Sequence, residues 1–181
     1  MKLKQSLLTI IATFLIFMSA NSQAGRQGIS FYYGVGLGVV APADVDIGGT
    51  GNVMFGVEED GWALEAIAYS SIEAGTDIST TLDYSVSGNH IGLAYRTIEK
   101  NGSWYKLKIS NTDMDFDYSD NTPTGTTTGK TYTLGWGMRM SRESRLEVDY
   151  DYYDSDDFSD PVHMFTARYF WGGSEYQGKS F

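Results

Sequence analysis

The chain has 181 residues with no cysteine, three prolines and 21 glycines, and it is rich in aromatic residues, with 13 tyrosines, nine phenylalanines and four tryptophans. Its 23 acidic and 13 basic residues give a formal charge of −10 at pH 7. This charge repels nucleic acid and argues against a DNA- or RNA-binding role. The lack of cysteine excludes disulfides and an acylated-cysteine anchor. The many aromatic residues and glycines favour a β-rich domain.

Residues 1–24 are predicted to be a secretory signal peptide. Lys2 and Lys4 form a positive N-terminal region, and an apolar run over residues 7–18 follows it. That run is too short to cross a membrane comfortably as a helix. Small residues occupy the −3 and −1 positions of a cleavage site after Ala24. An uncleaved N-terminal anchor is the alternative interpretation.

The mature chain, residues 25–181, has the length of a single domain. Loss of the two signal-peptide lysines leaves 11 basic residues against 23 acidic ones, a formal charge of −12. No segment of the mature chain is apolar over the length that a transmembrane helix needs. If this chain lies in a membrane, it must cross as β-strands.

Eight segments of the mature chain alternate between large apolar residues and small or polar ones. This two-residue period is that of a strand with two different faces. In the first segment, large residues at odd positions alternate with Gly34, Gly36 and Gly38. The apolar positions of the eight segments lie within residues 31–39, 53–57, 62–68, 91–95, 105–109, 132–138, 146–152 and 165–169.

The connections between these segments alternate between short and long without exception. The short ones are residues 59–61, 98–103 and 141–144, and the long polar ones are residues 41–51, 71–85, 111–128 and 154–161. Tight periplasmic turns and longer extracellular loops are typical of membrane barrels, which have an even number of strands. The sequence therefore predicts an all-β fold, an eight-stranded antiparallel up-and-down transmembrane β-barrel.

The composition of the two strand faces indicates which face meets lipid. A soluble barrel, the alternative, would keep its apolar face inside. Here the polar face combines glycines with charges of both signs, which suits a crowded lumen, and the apolar face carries aromatic residues near strand ends. The predicted lumen charge network, structural or gating, comprises Glu65, Arg96, Lys106, Lys108, Arg139, Glu147, Asp149 and Arg168. The predicted aromatic girdle comprises Phe31, Trp62, Tyr95, Tyr105, Tyr150, Tyr152 and Tyr169.

An eight-stranded barrel has an interior only wide enough to be filled by side chains. An open diffusion pore is therefore not expected. A narrow or gated channel stays open as an alternative.

The pattern of the whole mature chain resembles a known family. The chain looks like a small outer-membrane β-barrel protein with a porin-family β-barrel domain, the group that includes the OmpA transmembrane domain, OmpX and the Ail/Lom proteins. The resemblance lies in the signal peptide, the eight strands, the loop alternation and the Gly-Trp-Ala-Leu-Glu segment at residues 61–65. One departure is the tail at residues 171–181, which follows the last convincing strand near Phe170 and leaves the register of that strand open.

The resemblance implies the outer membrane of a Gram-negative bacterium as the location. It also implies outer-membrane lipid, lipopolysaccharide and the barrel-assembly machinery as partners, and no cofactor. The expected function is non-enzymatic, a structural or adhesin-like role with four acidic extracellular loops. The alternative is a narrow or gated channel for small solutes or ions.

Enzymatic and metal-binding functions are disfavoured. A lipid A deacylase needs a histidine with a serine two positions on, but Phe165 follows His163 at that spacing, and His90 falls on the polar face. The series that begins at Asp113 lacks the glycine and the glutamate of a calcium-binding EF-hand loop. The acidic loops are therefore predicted to be solvated. The alternative is that divalent cations bridge their carboxylates to each other or to lipopolysaccharide phosphates. Weak candidates for metal ligands are Asp154, Asp156 and Asp157.

Overall fold

The computed structural model describes residues 29–41, 47–73, 75–76, 83–97, 100–118, 126–156 and 161–172. No helix within these ranges is long and apolar enough to cross a bilayer. The predicted signal peptide and its cleavage site lie outside the described residues.

Eight long strands form the structure. They are β1 (Ser30–Ala41), β2 (Gly48–Glu59), β3 (Trp62–Glu73), β4 (Asp83–Arg96), β5 (Ser103–Tyr118), β6 (Thr127–Arg139), β7 (Ser144–Asp154) and β8 (Val162–Gly172). Each strand pairs antiparallel with its neighbours in the chain, and β1 pairs with β8, which closes the sheet. The prediction of an eight-stranded antiparallel up-and-down barrel is confirmed.

Two of the tight turns have the geometry of type I′ hairpins. Asp60 and Gly61 have φ of 50° and 84°, and Asn101 and Gly102 have φ of 55° and 78°. Type I′ turns need positive φ at both central residues, which favours Asp-Gly and Asn-Gly pairs. These turns fix the register between β2 and β3 and between β4 and β5. The end of the barrel that carries the tight turns is called the turn end, and the opposite end the loop end.

The strands near the loop end are longer than the sequence predicts. Residues 111–118 were expected to be loop, but they complete β5, and β4 already begins at Asp83. The reason is a change of face. Beyond Ile109 the outward residues of β5 become polar, while Met114 and Phe116 face inward and are buried. A short strand at Gly75–Thr76 pairs with the start of β4.

The structure also gives the register of the last strand. Arg168 lies opposite Gly36 and Phe170 opposite Gly34, and β8 ends at Gly172, where φ is 85°.

The bulky residues of the alternating segments face outward, as predicted. Leu107 is 60% exposed, Leu64 57% and Val35 51%, although each lies within a strand that is paired on both sides. Their sequence neighbours face inward, and all of them except Gly36 are buried. The apolar face is therefore the outer surface of the barrel.

Two clusters of apolar side chains also face the interior, and the alternation did not predict them. The turn-end apolar layer comprises Tyr32, Met54, Ala63, Ile67, Ala94, Trp104 and Phe170. The loop-end apolar layer comprises Val40, Tyr69, Tyr84, Val86, Met114, Phe116, Tyr153, Val162 and Met164. The two-residue alternation assigns large apolar residues to the outer face, so it does not predict these inward ones.

Candidate functional site

The buried charges of the interior form the candidate site. Among the described residues, five cations and five carboxylates are buried, so the formal charge of the interior balances. The cations are Arg96, Lys106, Lys108, Arg145 and Arg168, and the carboxylates are Glu58, Glu65, Glu147, Asp149 and Asp151. Seven of these ten residues belong to the predicted lumen charge network.

Arg96 is the centre of the turn-end half of this network. Its Nη2 donates to Glu65 Oε1 at 2.5 Å and its Nε to Glu147 Oε1 at 2.7 Å. Its Nη1 donates to Tyr32 Oη at 3.1 Å and lies 3.4 Å from Glu58 Oε2. The guanidinium also lies 5.0 Å from the centre of the Tyr32 ring, a cation–π distance. One side chain thus holds three carboxylates, which come from β2, β3 and β7.

Lys106 and Arg168 continue the network towards the loop end. Lys106 Nζ donates to Glu147 Oε2 at 2.7 Å and to Asp149 Oδ2 at 2.6 Å, and it lies 3.6 Å from Glu65 Oε2. Arg168 Nη1 donates to Asp149 Oδ2, and its Nη2 donates to Asp151 Oδ2 at 3.4 Å. Charge-assisted bonds of this kind are the strong hydrogen bonds of proteins. They tie β5, β7 and β8 together across the interior.

The structure adds residues that the sequence analysis missed. Arg145 Nη2 donates to Glu58 Oε1 at 2.8 Å near the turn end, and Asp151 accepts a hydrogen bond from Thr133. Glu58, Arg145 and Asp151 all lie on the inward face that the alternation of their strands predicts, so the alternation could have found them. Glu58 and Arg145 were overlooked because they lie at or beyond the ends of the apolar segments.

Arg139 is the one predicted network residue that the structure does not place in the centre. It ends β6 at the turn end and is only partly buried. Its backbone N–H donates to the carbonyl of Gly102 at 2.7 Å. The alternation of β6 places Arg139 on the inward face, as predicted. Arg139 is nevertheless too close to the turn-end rim of the barrel to lie in the centre of the network.

Inward glycines give the large interior side chains their room. A Cβ added to Gly56 would lie 2.1 Å from Tyr32 Cζ, and one added to Gly137 would lie 2.2 Å from Trp104 Cε2. Trp104 uses this room to donate from Nε1 to Glu147 Oε1 at 2.9 Å. The glycines opposite these side chains therefore position the network.

The residues of the predicted girdle all lie on the outward face, in two groups. Near the turn end, the Trp62 and Tyr95 ring centres are 5.0 Å apart, with Phe31, Tyr105 and Tyr169 at the same end. Tyr150 and Tyr152 lie towards the loop end. The structure adds outward aromatic residues that the prediction omitted: Tyr33, Phe55, Tyr132, Trp136, Phe165 and Trp171.

Within the described ranges, neither histidine forms a hydrogen bond to a serine. His163 Nδ1 lies 2.7 Å from the phenol oxygen of Tyr150 rather than beside a serine. His90 faces the interior and is 1% exposed. Within the described ranges, no group of three or more His, Cys, Asp or Glu side chains is arranged to hold a metal ion. Asp154 and Asp156 are exposed, and Asp157 lies outside the described residues.

No protein-family model and no curated protein matches this chain. Solved structures do match it. OprG from Pseudomonas aeruginosa has a TM-score of 0.59 and 11% identity, covering 82% of this chain and 98% of its own. Neisserial surface protein A has a TM-score of 0.56 and 12% identity, and the match covers 80% of this chain and 97% of that protein. Ail, the attachment invasion locus protein of Yersinia pestis, has a TM-score of 0.50 and 14% identity, and the match covers 82% of this chain and 100% of that protein. At these identities the likeness shows the fold, which is that of the small eight-stranded outer-membrane barrels.

Proposed function

We propose that the protein is a non-enzymatic barrel of the outer membrane of a Gram-negative bacterium, with an adhesin-like role at the cell surface. The observation that carries this proposal is the filled interior. Buried ion pairs cross the lumen, and apolar side chains pack inside the barrel towards both ends. With the lumen filled, the surface and loops are the parts of the molecule available to a partner.

The outward face supports a membrane location. On β1, outward apolar residues extend from Phe31 to Val39. Eight residue steps of about 3.3 Å, tilted by about 40°, span roughly 20 Å of the barrel axis, close to the apolar band of known membrane barrels. Outer-membrane lipid, lipopolysaccharide and, during biogenesis, the barrel-assembly machinery are the partners that this location entails.

The loop-end limit of the apolar band is sharp on three neighbouring strands. The outward residue changes from apolar to polar within one two-residue step on each of β4, β5 and β6. These steps lie between Ile91 and Asn89, between Ile109 and Asn111, and between Tyr132 and Lys130. We take this line as the boundary between acyl chains and the cell exterior.

The part of β5 beyond this line supports the surface role. It carries Asp113, Asp115 and Asp117 on its outer side, while Met114 and Phe116 fill the interior behind them. Outside the membrane the barrel therefore has the polarity of a soluble protein. A rigid, acidic sheet surface of this kind suits a basic partner. A structural neighbour, Ail, is named for attachment.

A cell-attachment assay tests the surface role. Bacteria that display the protein should attach to cultured epithelial cells, and replacing Asp113, Asp115 and Asp117 by Asn should lower attachment several-fold. The control changes Glu59→Gln and Asp60→Asn at the turn end, on the opposite side of the membrane. Attachment equal to that of cells without the protein, or equal in both variants, would contradict the role.

A gated channel is the second candidate. Lys106 Nζ lies within 3.6 Å of carboxylates from three residues, so the network has more than one set of pairs available to it. Planar-bilayer recordings separate the two functions. The filled lumen predicts no stepwise conductance for the wild type or for Glu65→Gln. Conductance in the wild type that changes in Glu65→Gln would favour the channel.

A further inference from the structure

The apolar band on the outer surface differs in height between opposite sides of the barrel. On β1 the outward residues stay apolar over the eight residue steps from Phe31 to Val39, but on β5 only over the four steps from Tyr105 to Ile109. Both bands begin within three residues of the strand's turn end. In the closed sheet of eight long strands, β1 and β5 are four strands apart and therefore lie on opposite sides.

Residues at matching distances from the turn end show this contrast directly. Six steps beyond the first outward residue, β1 has Leu37, which is 65% exposed, whereas β5 has Asn111. Eight steps beyond it, β1 has Val39 and β5 has Asp113. Asn111 also accepts a hydrogen bond from Lys130 of β6. The outer surface is therefore polar on the β5 side at a level where it is apolar on the β1 side.

Other strands extend the contrast around the barrel. On β4, next to β5, the outward apolar residues lie only within residues 91–95. On β3, an apolar outward residue follows Ser70: Ile72 is 68% exposed and lies ten steps beyond Trp62. Ten steps along β5, the outward residue is Asp115. The apolar band is therefore low on β4 and β5, which we call the low wall, and tall on the β1 side.

A bilayer of uniform thickness cannot match both sides. Eight steps of a tilted strand rise roughly 20 Å along the barrel axis and four steps roughly 10 Å, whereas the apolar band of known membrane barrels is about 25 Å tall. An apolar surface that is shorter than the hydrocarbon core is matched by local thinning of the bilayer. Long side chains can instead reach up to the headgroups, but Asn111 and Asp113 are too short to do so.

We infer that the low wall thins the bilayer beside it, so that its partner is a lipid layer of reduced thickness, while the β1 side is surrounded by thicker lipid. The inference rests on the proposed membrane location and goes beyond it, because that location requires no difference between the two sides.

Spin labels on single cysteines test this inference, and because the chain has no cysteine of its own each label has one attachment site. One pair of variants, Leu37→Cys and Asn111→Cys, lies six steps along β1 and β5. The matched control pair, Tyr33→Cys and Leu107→Cys, lies two steps along the same strands. In vesicles of dioleoyl phosphatidylcholine, the ratio of oxygen access to nickel-chelate access measures the depth of each label. We expect a ratio several-fold lower at position 111 than at position 37, and equal ratios in the control pair.

The two pairs separate the possible outcomes. Equal ratios at positions 37 and 111 would overturn the inference, since lipid would then reach the same level on both sides. A lower ratio at position 33 than at position 107 would also overturn it, because the barrel would then be tilted in a uniform bilayer. Little access of either reagent at position 111 would show a covering protein in place of thinned lipid. Low oxygen access at all four positions would contradict the membrane location itself, and with it the proposed function.

Stability in bilayers of different thickness provides a second measurement. The wild type should unfold at a higher guanidinium concentration in dilauroyl than in dioleoyl phosphatidylcholine vesicles, because the thinner bilayer needs less deformation at the low wall. Asn111→Leu adds one apolar step to β5 and should reduce this difference. Ser85→Leu, placed further out on β4, is the control and should keep it. A wild type with no preference for the thinner bilayer, or an equal change in both variants, would overturn the inference.

Discussion

Arg96 shows how single residues organise this interior. Its five N–H donors are distributed over Glu58, Glu65 and Glu147 and the Tyr32 phenol, and its flat guanidinium packs near the Tyr32 and Phe170 rings. Lysine could not reproduce this arrangement, because its ammonium lacks the planar fork. The geometry therefore needs arginine at this position.

Replacing Arg96 by Met should destabilise the barrel strongly. The change leaves buried carboxylates without their main partner, and breaking one side of a buried pair costs about 3–5 kcal/mol. Guanidinium unfolding in lipid vesicles measures the loss. Lys100→Met, in an exposed turn, is the control and should shift the free energy of unfolding by no more than about 0.5 kcal/mol.

The double variant Arg96→Met with Glu147→Gln distinguishes lost charge balance from lost packing. Removing one carboxylate together with the cation restores the balance, so the double variant should lose less free energy of unfolding than the sum of the two single changes. A double variant that loses the full sum would show that Arg96 and Glu147 act independently, contrary to their 2.7 Å contact.

At the residue scale, strand parity predicts most of the buried charges. The alternation of β5 and β7 correctly gave the inward direction of Lys106, Lys108 and Glu147. It could not give the pairings, because these join strands that are far apart in the sequence, and it extended the network to Arg139, which lies at the rim. A two-residue period gives the face on which a residue lies, but it does not give the distance of that residue from the end of the strand.

At the element scale, neighbouring strands fit together through large side chains that lie over glycines. Trp104 of β5 lies against Gly137 of β6, its direct partner in the sheet, and Tyr32 of β1 lies against Gly56 of β2 in the same way. Each ring covers the strand beside it. The glycine is part of the pairing, since any side chain there would meet the ring.

Gly137→Ala should destabilise the β5–β6 pair. The new methyl group would lie 2.2 Å from the Trp104 ring, and moving this ring would disturb its bond to Glu147. Overpacking of this kind costs about 1–3 kcal/mol. The control is Gly51→Ala, whose methyl group would meet only Ile72 Cγ2 at 3.3 Å.

Unfolding of both glycine variants in lipid vesicles tests this fit. Adding Trp104→Leu to Gly137→Ala should make the glycine change nearly neutral, because the clashing ring is gone. Equal stability of the two single variants would contradict the role given to Gly137.

Strand bounds show what the sequence pattern could not predict at this scale. The rule that bulky apolar residues face outward holds for β5 from Tyr105 to Ile109, which is the segment that the alternation predicts as strand. Beyond it the faces exchange character, with Asp113 outside and Met114 inside, so the same strand continues with the opposite polarity. A two-residue alternation predicts a strand. Whether its apolar face lies outside or inside the barrel depends on whether lipid or water surrounds that part of the strand, and the alternation does not give this.

At the scale of the whole molecule, charge is divided between inside and outside. Among the described residues the buried charges balance, five against five, whereas the full sequence carries a formal charge of −10. Described acidic residues outside this network, such as Asp113 and Asp117, are exposed. A neutral, bonded interior within an apolar outer surface is what a filled barrel in a bilayer requires.

Quenching of tryptophan fluorescence by brominated acyl chains tests this central claim most directly. Two single-tryptophan proteins are compared in vesicles, one that retains outward Trp136 and one that retains Trp104, which is 4% exposed, with the other tryptophans replaced by Phe. Lipid around the outer surface predicts strong quenching of Trp136 and little quenching of Trp104. Quenching of Trp104 alone, or of neither residue, would contradict the account.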